Sequence, residues 1–346
     1  MSAQRAASPN SGQGDSPDSS DWPGVQLHIV TGKGGTGKST VAAALALALA
    51  SRGQTVLLCE VEGRQGIAQL FDVPPLPYEE RRIARGTTGS GDVYALAIDA
   101  ESALLEYLDM YYRLGRAGKA LDRFGVIEFA TTIAPGVRDV LLTGKVYEAA
   151  NRNRRNKGAR QYDAIVLDAP PTGRIAQFLN VNNELAGLAK VGPIKSQADV
   201  VMSLLRSSRT AIHLVTVLEE MPVQETGDGI DELRRADLPV GGVVVNMVRP
   251  QDLDADERQA LIDGDVDRGA LVSSLEKAGI SAEDELVSGL LDEGRYHAER
   301  RHLEDTQRAV IERLGVPTYE LPLMPGGVDL AGLYELAEAL CREGLA

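Results

Sequence analysis

The residues best suited to chemistry form one glycine-rich segment, residues 32–39, which reads GKGGTGKS. The segment matches the pattern G-x-x-x-x-G-K-[ST], in which Lys38 and Ser39 take the last two places. Glycine lets a backbone turn with positive φ and point successive N–H groups at phosphate oxygens. The glycines expected to do so are Gly34, Gly35 and Gly37. In such a loop the lysine reaches the terminal phosphates and the hydroxyl group ligates Mg²⁺, so the pattern predicts a nucleoside triphosphate site.

This segment stands between a predicted strand and a predicted helix. Residues 25–31 form a mainly apolar run of strand length that ends in three β-branched residues, and residues 41–50 contain only Val, Ala and Leu. A phosphate loop needs strand, loop and helix in this order. The positive end of the helix dipole would add to the attraction for phosphate. The predicted nucleotide-binding residues also include Thr36 and Thr40.

A carboxylate stands at the end of another apolar run. Asp168 follows AIVL at residues 164–167, which reads as a buried strand. The carboxyl ends of parallel strands lie at the same sheet edge as a phosphate loop, where such sheets bind ligands. Hydrolysis needs a second anchor for Mg²⁺, and we therefore expect Asp168 to share the ion with Ser39.

Lys33 gives the loop a second lysine, in the form K-G-G-T-G-K-S. In this feature the chain resembles the deviant Walker A class, which includes the arsenite-pump ATPase, the eukaryotic tail-anchored-protein targeting ATPases, and the partition and septum-site ATPases. In that class the extra lysine reaches the nucleotide of the neighbouring subunit. The resemblance therefore implies a catalytic role for Lys33 and a dimer that closes on ATP.

The segment DAPPTGR at residues 168–174 narrows the resemblance. It is similar to the D-T-A-P-T-G-H switch II of the arsenite-pump and targeting ATPases, and it separates these from the partition group. The chain most resembles the single-loop anion-transporting ATPases of actinobacteria, which are ArsA-like. Arg174 stands where the family motif has His.

The resemblance also suggests which residue positions the attacking water. Related proteins carry S-T-D-P-A-H after the second strand, and aligning the strands places Glu62 on the catalytic Asp of that motif. The Pro and His that follow this Asp in the family motif are replaced here by Gly63 and Arg64. Glu60 stands two residues earlier on the same side of an extended segment and remains the alternative.

Two further residues are assigned to the adenine base by resemblance. Asn246, in VVVNMV, matches an asparagine whose side-chain amide reads adenine in the family. Pro325 lies in a segment similar to the C-terminal loop that contacts the base. An asparagine at a strand end is also a common turn former, so a structural role is the alternative for Asn246.

The elements that must position these residues alternate between strands and helices. The predicted strands are mostly unbroken aliphatic runs, which are typical of a parallel sheet buried on both faces. They cover residues 25–31, 55–59, 93–98, 164–167, 212–217, 242–245 and 318–321. The prediction is a doubly wound α/β fold of the P-loop NTPase type, with a mostly parallel sheet of about seven strands.

We expect one ATPase domain at residues 24–346, preceded by a disordered tail at residues 1–23 that is rich in Ser, Gly, Pro and Asp. Helical insertions are predicted at about residues 101–151, 175–209 and 252–293. The first two could form a groove for an apolar client helix, or they could simply pack over the sheet.

Composition limits the choice of partners and compartment. The net charge of −14 argues against sequence-independent binding to nucleic acid. Cys59 and Cys341 stand far apart and indicate a reducing, cytoplasmic setting, and without a C-x-x-C motif we expect no zinc. No run of about 18 apolar residues predicts a membrane span.

The reaction expected is Mg²⁺-dependent hydrolysis of ATP, with ATP-driven dimer closure that switches the binding of a client or partner. Two alternatives remain open. One is the energy-transducing subunit of an anion efflux pump, although two cysteines do not offer a thiolate site for arsenite. The other is a regulatory switch of the partition type. The dimer could be formed by two copies or with a paralogous ATPase, and the client could be a membrane protein or a permease.

Overall fold

The computed structural model of the chain describes residues 20–61, 63, 65–87, 89, 91–112, 135–152, 159–179 and 193–346. Most of the predicted N-terminal tail lies outside these residues.

Eight strands form one sheet within the described residues. In chain order they are β1 (Leu27–Gly32), β2 (Val56–Glu60), β3 (Arg81–Arg85), β4 (Asp92–Ala97), β5 (Ala164–Asp168), β6 (Thr210–Thr216), β7 (Val240–Val248) and β8 (Thr318–Pro322). Their order across the sheet is β3-β4-β2-β5-β1-β6-β7-β8, and every neighbouring pair except β3 and β4 is parallel. The predicted doubly wound α/β fold is confirmed.

Strand β3 is absent from the seven-strand prediction. Its sequence, RRIAR, is mainly charged, and it pairs antiparallel to β4 at the edge of the sheet. An edge strand faces solvent along one side and can carry charged side chains, so it needs no aliphatic run. The predicted strand count is one short because aliphatic runs mark only the buried strands of this sheet.

Helices cover both faces of the sheet. They are α1 (Lys38–Ser51), α2 (Gly66–Leu70), α3 (Ala100–Tyr112), α4 (Pro135–Ala150), α5 (Thr172–Leu179), α6 (Pro193–Leu205), α7 (Glu220–Arg235), α8 (Ala255–Asp263), α9 (Arg268–Lys277), α10 (Asp284–Glu312) and α11 (Leu330–Glu343). Apolar residues of α1, α2 and α11 form the core on one face, and those of α4 to α7 form it on the other. In the described ranges no helix is long and apolar enough to cross a membrane.

Helix α1, which follows the phosphate loop, is buried around its whole circumference. Every residue from Val41 to Ala50 is buried, because the helix lies between the sheet and α11. A helix that is apolar all round can be stable only inside a protein. The loop that precedes α1 is therefore attached to a helix that is packed on every side.

Helices α8 to α10, here called the outer helical layer, contrast with α1. Helices α8 and α9 contain no buried residue, and α10 buries few along its 29 residues. Two of the buried residues, Arg301 and Glu304, are charged. Arg301 donates to Glu304 at 2.6 Å, and both side chains are almost inaccessible to solvent. Arg249, after β7, also donates to Glu304, at 2.5 Å. A buried cluster of charges thus ties α10 to the sheet.

Two buried histidines lie side by side in the sheet. The Nδ1 atom of His213 in β6 accepts from the Gly242 amide at 3.2 Å, so its Nε2–H donates to Nδ1 of His28 in β1, at 3.1 Å. Burial lowers the pKa of His28 to about 4 and lowers that of His213 well below its usual value. Trp22 packs edge-on against His213 and donates to the Tyr319 hydroxyl, so the last residues of the predicted tail pack on the fold.

Candidate functional site

Three glycines shape the backbone of the phosphate loop. Gly32, Gly35 and Gly37 have φ values of 151°, 90° and 86°, which other residues rarely adopt. A Cβ at Gly32 would lie 2.1 Å from the carbonyl oxygen of Val215, and a Cβ at Gly37 would lie 2.4 Å from Nδ2 of Asn246. Glycine is therefore required at both positions by backbone conformation and by space.

The predicted positive φ at Gly34 is wrong, because the loop makes its left-handed turns at Gly32, Gly35 and Gly37 instead. A Cβ built at either Gly34 or Gly35 would meet no atom within 4 Å. The loop thus has open space above its backbone on the side of these two glycines. That space fits a ligand that approaches the main chain closely, as phosphate groups do.

The start of α1 is suited to an anion. Gly37 is the N-cap residue and supplies no side-chain cap, and the first turn contains no acidic residue. The first N–H groups of the helix and its positive dipole end are therefore not countered by a carboxylate from its own first turn. Lys38 donates to the Lys33 carbonyl oxygen at 3.3 Å, and the Thr36 hydroxyl donates to the same oxygen at 2.9 Å. Thr40 lies half-buried in the first turn.

The two residues predicted to hold Mg²⁺ are in contact. The Ser39 hydroxyl donates to Oδ2 of Asp168 at 2.6 Å. Asp168 ends β5 and pairs in register with Val30 of the neighbouring β1, so sheet topology brings its carboxylate to the loop. A hydroxyl beside a carboxylate fits Mg²⁺, which proteins hold with one or two carboxylates and which takes its other oxygens from phosphates and water.

Of the two candidates for positioning the attacking water, the structure describes Glu60 but not Glu62. Glu62 and Arg64 lie outside the described residues. Glu60 ends β2, is in register with Asp168 on the neighbouring β5, and is buried. Its Oε1 accepts from the Gly66 amide at 3.0 Å. The alternative carboxylate is thus adjacent to the predicted metal ligand and bonded to the helix that follows it.

Lys33 is paired within its own chain. Its ammonium group donates to Oε1 of Glu225, in α7, at 2.5 Å, and both side chains are roughly one-third exposed. Sequence reasoning gave Glu225 no role, because a contact between residues 192 positions apart has no local signal. A partly exposed pair of this kind contributes little to stability, so it can be broken readily.

The residues assigned to adenine lie in different surroundings. Asn246 is buried in β7, and its Nδ2 donates to the Thr36 carbonyl oxygen at 2.9 Å, so its side chain braces the phosphate loop. Pro325 is exposed in the turn after β8. Met247 was missed by sequence reasoning, yet it has a left-handed φ of 60° and its Cε lies 3.6 Å from a Cβ built at Gly37. Its residue type gives no signal for such a position.

Comparison with known proteins adds to this geometry. The model of the anion-transporting ATPase family matches residues 25–208, a little over half of the 346 residues. The matched part contains the phosphate loop and Asp168, whereas β6 to β8 lie beyond it.

Individual relatives cover different shares of the chain. It is 55% identical over 328 residues to ATPase BagA of Mycobacterium tuberculosis, a match that covers 94% of this chain and 96% of that protein. It is 26% identical over 254 residues to ATPase GET3 of Kluyveromyces lactis, covering 64% of this chain and 71% of that protein. A putative arsenical pump-driving ATPase of Aquifex aeolicus is 28% identical over 171 residues, which is 45% of this chain and 38% of that protein. The chain belongs to the anion-transporting ATPase family, with relatives of both the arsenical-pump and the GET3 kind.

Proposed function

We propose that the chain hydrolyses ATP with Mg²⁺ at the phosphate loop. The observation that carries this proposal is the 2.6 Å contact between Ser39 and Asp168 beside an open glycine cradle. Ser39 and Asp168 would hold Mg²⁺, which, when bound, offsets negative charge on the terminal phosphates. The loop amides of residues 34–40 would hold the phosphate oxygens, and the Lys38 ammonium group would leave the Lys33 carbonyl oxygen to join them.

We assign the positioning of the attacking water to Glu62, with Glu60 as the alternative. A carboxylate at this end of β2 is well placed to position water, because Glu60 is in register with Asp168, the proposed Mg²⁺ ligand. Asn246 and Pro325 are proposed to contact the adenine base. One N–H of the Asn246 side-chain amide already donates to the Thr36 carbonyl oxygen, so the base would be contacted by the other N–H or by Oδ1.

Replacing Lys38 tests the site. Lys38→Ala should lower ATP hydrolysis at least about 100-fold, because the other lysine of the loop, Lys33, is held by Glu225 and is proposed to serve the neighbouring subunit. Lys277→Ala, on the exposed end of α9, is the matched control and should hydrolyse ATP at the wild-type rate. Undiminished hydrolysis by purified Lys38→Ala would refute the site.

The two glutamates can be separated by isosteric changes. Glu62→Gln should slow hydrolysis at least about tenfold while ATP binding, measured by calorimetry, is retained. Glu60→Gln keeps an oxygen that can accept from the Gly66 amide, so it tests the carboxylate charge alone. If only Glu60→Gln slows turnover, the assignment moves to Glu60.

We further propose that ATP closes a dimer in the cytoplasm, formed by two copies or with a paralogous ATPase. Lys33 is held by Glu225 of its own chain, and we infer that it exchanges this carboxylate for the nucleotide of the neighbouring subunit. Lys33→Ala should then weaken ATP-dependent association more than ATP binding. Native mass measurement with and without ATP distinguishes the two, and equal association by the wild type and the variant would contradict this role.

We propose that closure switches the binding of a client or partner. Residues 24–346 would act as one ATPase domain that carries its helical segments as insertions. The resemblance of switch II to the tail-anchored-protein targeting ATPases favours a membrane-protein client, whereas the arsenical pump-driving relatives favour a pump, or permease, as the partner. The family description favours export of an anion as the second candidate. Identification of chains that co-purify with the ATP-bound form decides between them.

A further inference from the structure

A second pocket lies beside switch II, at the same edge of the sheet as the phosphate loop. It has a volume of about 200 Å³ and is lined by Val61, which follows β2, and by Pro170, which follows Asp168. Its other walls come from α4 and α5. Neither the phosphate loop nor Ser39 lines it, so it is distinct from the nucleotide site.

Two arginines give this pocket its charge. Arg138 on α4 and Arg174 on α5 both line it, and both side chains are exposed. Among the residues that the structure describes, neither guanidinium group makes a hydrogen bond or an ion pair. In the described part of the lining, the one acidic residue is Asp139, whose side chain is buried. Two positive charges and one negative charge give the described lining residues a net charge of +1.

Local backbone adds to this positive character. Arg138 lies in the first turn of α4, and Arg174 lies in the first turn of α5. The first turn of a helix carries the positive end of its dipole, which favours anions nearby. Leu142 and Phe178 supply an apolar wall, which limits the water available to compete for the guanidinium groups.

We propose that this pocket binds an oxyanion of phosphate size through Arg138 and Arg174. A guanidinium group is always charged and presents paired donors that match the oxygens of a phosphate. Arg174 stands where the switch II motif D-T-A-P-T-G-H has His, so this chain has a permanent positive charge at a position where the motif has a titratable one. The occupant could be phosphate released at the neighbouring nucleotide site or an oxyanion taken from solution.

The test is calorimetric titration of inorganic phosphate into the full-length chain at constant ionic strength. The parent protein carries Lys38→Ala, which weakens anion binding at the phosphate loop and makes the result independent of hydrolysis, and the arginine variants then assign the remaining binding to the pocket. Phosphate should bind this parent, and adding Arg138→Gln or Arg174→Gln should weaken binding at least about tenfold. Arg313→Gln, an exposed arginine after α10, should leave binding unchanged.

Several results would overturn the proposal. Absence of phosphate binding by the parent would overturn it. Equal binding by all four proteins would also overturn it and would indicate an adventitious ion only. Equal melting temperatures of the arginine variants and the parent show that any loss is not due to unfolding. Titration with sulfate separates the two sources, because sulfate resembles phosphate in size and shape but is not a product of ATP hydrolysis. Tighter binding of phosphate than of sulfate favours the released product, and equal binding favours an oxyanion taken from solution.

Discussion

Every residue of α1 from Val41 to Ala50 is buried behind the phosphate loop, whereas α8 and α9 of the outer helical layer contain no buried residue. The helix behind the loop is held from all sides by close packing, and strand pairing fixes the neighbouring carboxylate of Asp168. The outer helical layer depends instead on α10 and on a few charged contacts such as Arg301 with Glu304. Close packing therefore fixes the geometry of the proposed nucleotide site, whereas substitutions on the exposed helices α8 and α9 should be tolerated.

The largest effect is expected from Gly32→Ala. The added Cβ would lie 2.1 Å from the Val215 carbonyl oxygen in the next strand, and φ is 151°, so β1 and β6 could not pair as they do. We expect a loss of about 5 kcal/mol or more in the free energy of unfolding, measured with urea. Gly34→Ala, in the same loop but in open space, is the control for folding and should change stability little. Equal stabilities of the two variants would contradict the packing argument.

Glu304→Ala should come next and should act on the outer helical layer. It would leave Arg301 buried without its carboxylate and would also remove a partner of Arg249, at a cost of about 3–5 kcal/mol. Glu299→Ala, on an exposed face of the same helix, is the control. Hydrogen exchange should show faster opening of α10 while α1 stays protected. Equal loss of protection in both helices would mean that the two regions unfold as one unit.

Acidic pH should weaken the sheet through its buried histidines. Because the pKa of His28 is lowered from 6.5 to about 4, the unfolded chain binds more protons between these values, and stability should fall as pH drops below 6.5. His28 alone accounts for about 3 kcal/mol by pH 4, and His213 acts in the same direction. Urea unfolding across this range should show a shallower decline for His28→Gln than for the wild type. His302→Gln, at an exposed position on α10, is the control substitution.

The smallest effect is a gain of stability in the outer helical layer. Gly289 lies exposed inside α10, where a Cβ would meet no atom within 4 Å. Gly289→Ala should raise the free energy of unfolding by about 0.5–1 kcal/mol, because alanine favours a helix over glycine. Gly279→Ala should be destabilising instead, since Gly279 has a φ of 76°. Thermal unfolding of the two variants measures both signs.

Local patterns were enough to predict the central fold. Mainly aliphatic runs identify most of the seven strands other than β3, and the phosphate loop follows from its glycines and Lys38. The topology rule that brings parallel strand ends to one edge also anticipates that Asp168 lies near Ser39. Strand β3 was missed because RRIAR has the composition of a surface segment, and its strand conformation comes from pairing with β4.

Contacts between distant segments could not be predicted in the same way. The pairing of Lys33 with Glu225 and the bond from Asn246 to the Thr36 carbonyl oxygen join segments of the chain that are far apart in sequence. Met247 takes a left-handed conformation because β7 changes register at its end, a property of strand pairing and not of methionine. Roles inferred from resemblance, such as that of Glu62, stay predictions until the corresponding variants are measured.

The arginine-rich strand β3 has a consequence for how two copies of this chain can meet. Arg81, Arg82 and Arg85 project along an outer border of the sheet, and all three side chains are exposed. Two such borders placed together would set like charges opposite each other, which disfavours a continuous sheet shared by both molecules. Extension of the sheet by pairing β3 of one copy with β3 of another is thereby disfavoured.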